Sequence, residues 1–265
     1  MNLDLTGKNA FVSGSSKGIG KAVATELARL GANVTLVART ETALMQGLID
    51  LSFSATAEQR HDYLVADFSN PEKLKAAVER HMTKTNKTYH ILVNNTGGPP
   101  SGKITAAAED DFVTAFSNHL LCNHLLTMLM VDGMKKANYG RVINIISTSV
   151  KIPLKGLGVS NTIRGAVASW SKTIANELGE FGITVNNVLP GATQTERLKE
   201  IVKNKSEKQS ISADAVEKEM LAEIPLGRFA KPEEVASAVA FLATPAAAYI
   251  SGINVPVDGG RTGSL

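Results

Sequence analysis

Short runs of β-branched and aliphatic residues alternate along this chain with longer stretches in which apolar positions recur every three or four residues. The runs at 9–13, 33–38, 63–66, 91–94, 141–146, 183–189 and 253–257 predict seven strands. Between them, 18–30, 41–51, 71–83, 109–134, 160–180 and 232–243 predict amphipathic helices, each long enough to carry the chain from one strand to a parallel neighbour. Gly31 and Gly182 stand just past two of these helices, where a left-handed residue commonly ends a helix. Strict alternation of this kind implies a doubly wound, seven-stranded parallel α/β sheet with helices on both faces, and a ligand crevice at the carboxyl ends of the strands. Function is therefore to be sought in the residues that follow each strand.

Two segments break the alternation. Residues 97–102 (GGPPSG) join freely rotating glycines to φ-locked prolines after the fourth strand, which predicts an irregular loop at the crevice. Residues 194–225 are rich in Lys, Glu and Ser and hold two weakly amphipathic pieces, near 195–204 and 213–223. This segment reads either as a solvated excursion with little core of its own or as a substrate lid. The whole chain, 1–265, reads as one domain, with no internal repeat and no linker.

Composition narrows the function classes more than it names one. Hydrophobic residues make up 43% and charged residues 20%, as in an ordinary globular protein, and the net charge of +3 is spread without a nucleic-acid-binding motif. No apolar run approaches the length of a membrane span and the first residues lack the order of a signal peptide, so a cytoplasmic protein without nucleic-acid or membrane partners is expected. Cys122 is the single cysteine and reads as core. The five histidines show no metal-ligand spacing.

The chemistry begins after the first strand, where Ser13-Gly14-Ser15-Ser16-Lys17-Gly18-Ile19-Gly20 leads directly into a helix. In that context Gly14 permits a tight turn, Gly18 lets backbone approach a pyrophosphate, and Gly20 lets the helix pack closely. The helix amides are left to receive the anion. This is the pattern of a Rossmann-type dinucleotide site. At the end of the second strand, where an acid would bind the free ribose diol of NAD, the chain reads Ala38-Arg39-Thr40. Arg39, with Lys17 beside it in the glycine turn, suits a 2′-phosphate, so NADP(H) is preferred and NAD(H) is the alternative. Asp67, after the third strand, is placed either to take the adenine amino group or to cap the next helix.

GSSKGIG at 14–20, NNTG at 94–97, GRVINIIS at 140–147, Pro190-Gly191, PLGR at 225–228, KPEEV at 231–235 and VDGG at 257–260 together resemble the short-chain dehydrogenase/reductase family over nearly the whole chain. The resemblance is nearest to its 3-oxoacyl-(acyl-carrier-protein) reductase-like branch. It implies a cofactor-contacting set of Gly14, Ser16, Lys17, Gly18, Ile19, Gly20, Arg39, Asp67, Phe68, Asn95, Gly97, Arg164, Pro190 and Gly191. It also implies a homotetramer, or at least a dimer, packed through the helices near 109–134 and 160–180. The family's catalytic Asn and Ser fall on Asn118 and Ser147. Its YxxxK motif, whose Tyr lies thirteen residues beyond that Ser, falls on Ser160 and Arg164, so both reactive positions differ. The helix that follows continues the family pattern without a gap, and the tyrosines, at 63, 89, 139 and 249, all lie away from its start.

A phenol whose pKa is lowered by a neighbouring Lys can protonate a developing alkoxide. A serine hydroxyl is a far weaker acid, and an arginine holds its proton at any working pH. Two functions follow as expectations. The first is an NADP(H)-dependent oxidoreductase of a small carbonyl or alcohol substrate, 3-oxoacyl compounds included, with Asn118, Ser147, Ser160 and Arg164 as an atypical catalytic group. The second is a catalytically silent cofactor binder that works as a redox sensor or partner subunit.

Overall fold

The computed structural model describes residues 1–53, 56 and 58–264. Seven strands form one parallel sheet: β1 (Asn9–Ser13), β2 (Asn33–Ala38), β3 (Asp62–Val65), β4 (Ile91–Asn94), β5 (Gly140–Ile145), β6 (Ile183–Pro190) and β7 (Asn254–Val257). Their order is β3-β2-β1-β4-β5-β6-β7, so the winding reverses between β1 and β4, and a crevice opens there beyond the strand carboxyl ends. Burial explains the sequence pattern. The inner strands β1, β2, β4, β5 and β6 are buried along nearly their whole length and read as mostly apolar runs interrupted by buried polar positions, whereas the edge strands β3 and β7 are only partly covered. Pro256, which cannot donate to a ladder, sits on the edge strand β7.

The crossover helices are α1 (Gly18–Arg29), α2 (Glu41–Ser52), α3 (Pro71–Thr85), α4 (Glu109–Phe116), α5 (Cys122–Lys136), α6 (Gly158–Leu178) and α9 (Pro232–Ala243); α7 (Glu196–Gln209) and α8 (Ala213–Ala222) belong to the segment before α9. On one face of the sheet, Val23 and Leu27 of α1, Leu44 of α2 and Val239 of α9 pack on Val12, Val34 and Ile143. On the other, Leu74 of α3, Leu126 and Met130 of α5 and Ile174 of α6 pack on Phe11, Leu92 and Val142. Cys122 is fully buried in this second core. Among the described residues no helix is long and apolar enough to cross a membrane, and no group of three or more His, Cys, Asp and Glu side chains is placed to hold a metal ion.

Two expectations are corrected. The helix expected over 109–134 is interrupted by one π-helical turn, Ser117–Leu121, between α4 and α5. One wider turn advances the later side chains around the axis, and Asn118 lies in it. The two amphipathic pieces of the 194–225 segment are helices, α7 and α8, and in place of little core of its own the segment has a small one. Leu198, Val202 and Val216 are buried together with Ile224 and Phe229. The apolar positions that build this core are spread over some thirty residues, so no single window of sequence exposes it.

A buried amide ladder crosses four strands in register. Asn94 Nδ2 donates to Asn144 Oδ1 (2.8 Å), Asn144 Nδ2 to Asn187 Oδ1 (3.0 Å) and Asn187 Nδ2 to Asn254 Oδ1 (2.8 Å). Asn144 also donates to Ser171 Oγ on α6 (3.2 Å). These side chains stand opposite one another on β4, β5, β6 and β7, and a slip of one residue would send each to the other face. The ladder holds the strand ends that shape the crevice in one register.

A crevice at the reversal point

The turn after β1 is built around glycine. Gly14 and Gly18 have φ of +61° and +57°, the left-handed region that side chains disfavour. A Cβ on Gly20 would lie 2.2 Å from the Gly14 carbonyl oxygen, so only glycine lets α1 sit this close to the turn. Asn95, just past β4, donates through Nδ2 to the carbonyls of Ser13 (3.3 Å) and Gly14 (3.4 Å) and ties the turn to the neighbouring strand. Helix α1 begins with no side-chain cap and no acidic residue in its first turn. The amides of Gly18, Ile19 and Gly20 accordingly have no partner among the described residues, and the positive end of the helix faces the crevice. That donor set suits a phosphate group.

Arg39, one residue past β2, and Lys17 are exposed and line the same crevice. Asp67 is exposed as well. The Ser69 amide, which it accepts at 3.0 Å, holds its carboxyl below the usual range, with a smaller contribution from the Arg39 charge. Asp67 therefore caps the turn after β3 and still faces the crevice. Gly191, which follows β6, donates to the Val257 carbonyl (2.9 Å), and a Cβ there would meet Asp258 at 2.8 Å.

At the other end of the crevice, β5 delivers Ser147, whose Oγ accepts the Ser149 amide (3.1 Å) and keeps its hydroxyl proton free to donate. Ser160 lies in the first turn of α6 and Arg164 one turn later, so the i,i+4 spacing puts both on one side of the helix. Neither the Ser160 hydroxyl nor the Asn118 carboxamide has a hydrogen-bond partner among the described residues, and both line the crevice. Arg164 is buried and donates from Nη1 to the Ile145 carbonyl (3.0 Å). Burial, with the charge of Arg197 second, brings its guanidinium down to about 10, which leaves it protonated at neutral pH.

The crevice measures about 2180 Å³, above the ~300–1,000 Å³ of one drug-sized site, so it has room for an extended ligand and a second small molecule. Of the site residues expected from sequence, all but Gly20 line it; Gly20 is buried beneath the turn, where its role is close packing. No tyrosine lines the crevice. The Tyr63, Tyr89 and Tyr139 hydroxyls bond Glu41, Thr35 and the Ala243 carbonyl, and Tyr249 is fully exposed. Two features escaped sequence reasoning. Arg197, in the first turn of α7, reaches back and donates from Nη2 to the Pro99 carbonyl (2.7 Å). His119, beside Asn118, is buried with Nδ1 2.5 Å from Thr96 Oγ1, and burial pushes it down to about 3, so its ring is neutral.

Comparison with known proteins places these features in company. Residues 14–262 match the family model described as Enoyl-(Acyl carrier protein) reductase. The chain is 33% identical over 258 residues to a 3-oxoacyl-[acyl-carrier-protein] reductase of Pseudomonas aeruginosa, covering 97% of this chain and 98% of that one. Among solved structures it resembles the L-sorbose reductase of Gluconobacter frateurii complexed with NADPH and L-sorbose, with a TM-score of 0.92 and 29% identity over the full length of both. It also resembles YwfH, an NADPH-dependent reductase involved in bacilysin biosynthesis, with a TM-score of 0.91 and 27% identity over 97% of this chain and 99% of the other.

Proposed function

The chain belongs to the short-chain dehydrogenase/reductase family, and from that premise we propose that it is an NADP(H)-dependent oxidoreductase of a carbonyl or alcohol substrate in which Ser160 and Arg164 stand where the family has its catalytic Tyr and Lys. The observation that carries this reading is the uncapped, acid-free start of α1 opening on a crevice that Arg39 and Lys17 also line. The amides of Gly18 and Ile19 would hold the pyrophosphate on the turn that Gly14 and Gly20 make possible, with Ser16 beside them. Arg39 and Lys17 would pair with the 2′-phosphate; Asp67 and Phe68 would flank the adenine, and Asn95, Gly97, Pro190 and Gly191 would border the nicotinamide half. Bound NADPH supplies a hydride for transfer to a carbonyl carbon.

The chain's own residues must then stabilise and protonate the oxygen. Ser147 and Ser160 would each donate a hydroxyl to it, and the protonated Arg164 would lower the energy of negative charge nearby while holding the ribose hydroxyls. Arg164 stays protonated at neutral pH, and a water held by the unpartnered Asn118 would carry the proton for the alkoxide in from solvent. A chain that lacks the phenol should run slowly. One observation favours a second reading, a cofactor binder without turnover: no tyrosine lines the crevice. The test is the double variant Ser160→Tyr with Arg164→Lys, assayed for NADPH consumption on a ketone and 3-oxoacyl panel. Restored acid catalysis should raise the rate by roughly 10²- to 10⁴-fold, more than either single change gives. A double variant that folds and binds NADPH yet gains nothing refutes the catalytic assignment.

Two further elements belong to this reading. The α7–α8 segment would act as a substrate lid. Val113, Phe116, Leu121 and Met128 leave an exposed apolar face along α4 and α5, which supports assembly into a homotetramer or dimer through these helices.

A further inference from the structure

Arg164 is a buried cation, 8% exposed, whose one hydrogen bond runs to the neutral Ile145 carbonyl, and no carboxylate pairs with it among the described residues. A buried charge normally has an opposite charge beside it. Here the neighbouring charge has the same sign. A Cβ built on Gly98 would lie 3.7 Å from Arg197 Nη2 and 4.0 Å from Arg164 Nη2, so the two guanidiniums converge on the same space above the loop after β4. Arg197 is fixed there by its bond to the Pro99 carbonyl, and its contact with Glu200 is a long 3.4 Å at the exposed surface. Both arginines line the crevice together with the unpartnered Ser160 and Asn118.

We infer that the crevice takes a substrate bearing a carboxylate, held by Arg197 and drawn toward the uncompensated charge of Arg164, with the carbonyl to be reduced directed at Ser147 and Ser160. The inference rests on the proposed oxidoreductase reading and names its substrate class: a small oxo acid or hydroxy acid, in place of a neutral ketone. An anion between the two guanidiniums offsets their mutual repulsion and gives Arg164 the counter-charge the fold omits. A planar carboxylate accepts two parallel N–H bonds from one guanidinium, which fixes the orientation of the rest of the molecule. The cofactor phosphates have their own donors elsewhere, at the start of α1 and at Lys17 and Arg39, so Arg197 above Gly98 is left for the second ligand, with the charge of Arg164 beside it.

The test is calorimetric titration of the full chain, with and without saturating NADP⁺, using a panel of 2-oxo and 3-oxo acids, each paired with its methyl ester. The proposal expects at least one acid to bind ten-fold or more tightly than its ester. Arg197→Met should erase that preference while leaving the NADPH dissociation constant within about two-fold, and Arg197→Lys should keep part of it. Equal binding of acids and esters, or no binding by any acid, overturns the proposal. So does an Arg197→Met variant that loses NADPH affinity as much as acid affinity, because the side chain would then serve the cofactor. Inorganic phosphate that displaces the acid at equal concentration overturns the carboxylate assignment. A native chain that binds oxo acids selectively but binds no NADPH leaves this site standing and defeats the oxidoreductase reading.

Discussion

Replacing Asn144 by alanine strikes the middle of the amide ladder. The side chain, fully buried, accepts from Asn94 and donates to Asn187 and Ser171. Each net hydrogen bond contributes about 1 kcal/mol, and each polar group left buried without a partner costs about 1–3 kcal/mol. Asn94, whose Oδ1 is already buried without a partner, would lose the acceptor for its Nδ2, and Asn187 would lose the donor to its Oδ1. The expected loss is roughly 3–5 kcal/mol, near the upper end for a single substitution. At about 2–4 °C per kcal/mol for a chain of this size, the melting temperature should fall by roughly 6–20 °C. Urea unfolding with an unchanged slope would assign the change to stability and not to the compactness of either state. The double-mutant cycle with Asn187→Ala should show a coupling of about 1–3 kcal/mol, because both changes break the same chain of bonds. A loss below about 1 kcal/mol, or strict additivity in the cycle, would refute the ladder as a stabilising network.

Charge at the adenosine end should set cofactor choice. The native chain is expected to bind NADPH at least ten-fold more tightly than NADH, and Arg39→Asp to reverse the order; equal native affinities by fluorescence titration would contradict this. Hydrogen exchange in α7 and α8 should slow when cofactor and substrate are both present, and rates that do not change would remove the lid role. Light scattering at micromolar concentration should return a multiple of the 28.0 kDa chain, and a monomer alone would leave the α4–α5 face without the proposed partner. Phe116→Glu on that face should shift the assembly toward monomer.

The parallel sheet was legible because mostly apolar strand runs alternate with helical patterns, whereas the place of its reversal, between β1 and β4, follows only from the strand order. The glycine turn on which the proposed cofactor site rests was legible because its left-handed φ values and close helix approach demand glycine at fixed spacings. What stayed hidden depends on long-range pairing. Asn94, Asn144, Asn187 and Asn254 each read alone as a polar interruption of a strand, and only the register of β4 through β7 makes them a ladder. The π turn at Ser117–Leu121 is a change within a single turn, which a helical pattern read over the whole stretch 109–134 does not reveal. Arg197 sits in a run of alternating charges that reads as a solvated face, and it gains meaning only when α7 folds back over Gly98.

Transfer of the hydride itself tests the central claim most directly. The native chain, given NADPH deuterated at the transferring position and a panel of oxo acids and ketones, should produce an alcohol carrying one deuterium at the former carbonyl carbon, slowly but above the rate without protein, as read by mass spectrometry. Saturable NADPH binding with no deuterium in any product would contradict the account and leave a cofactor-binding protein that does not catalyse.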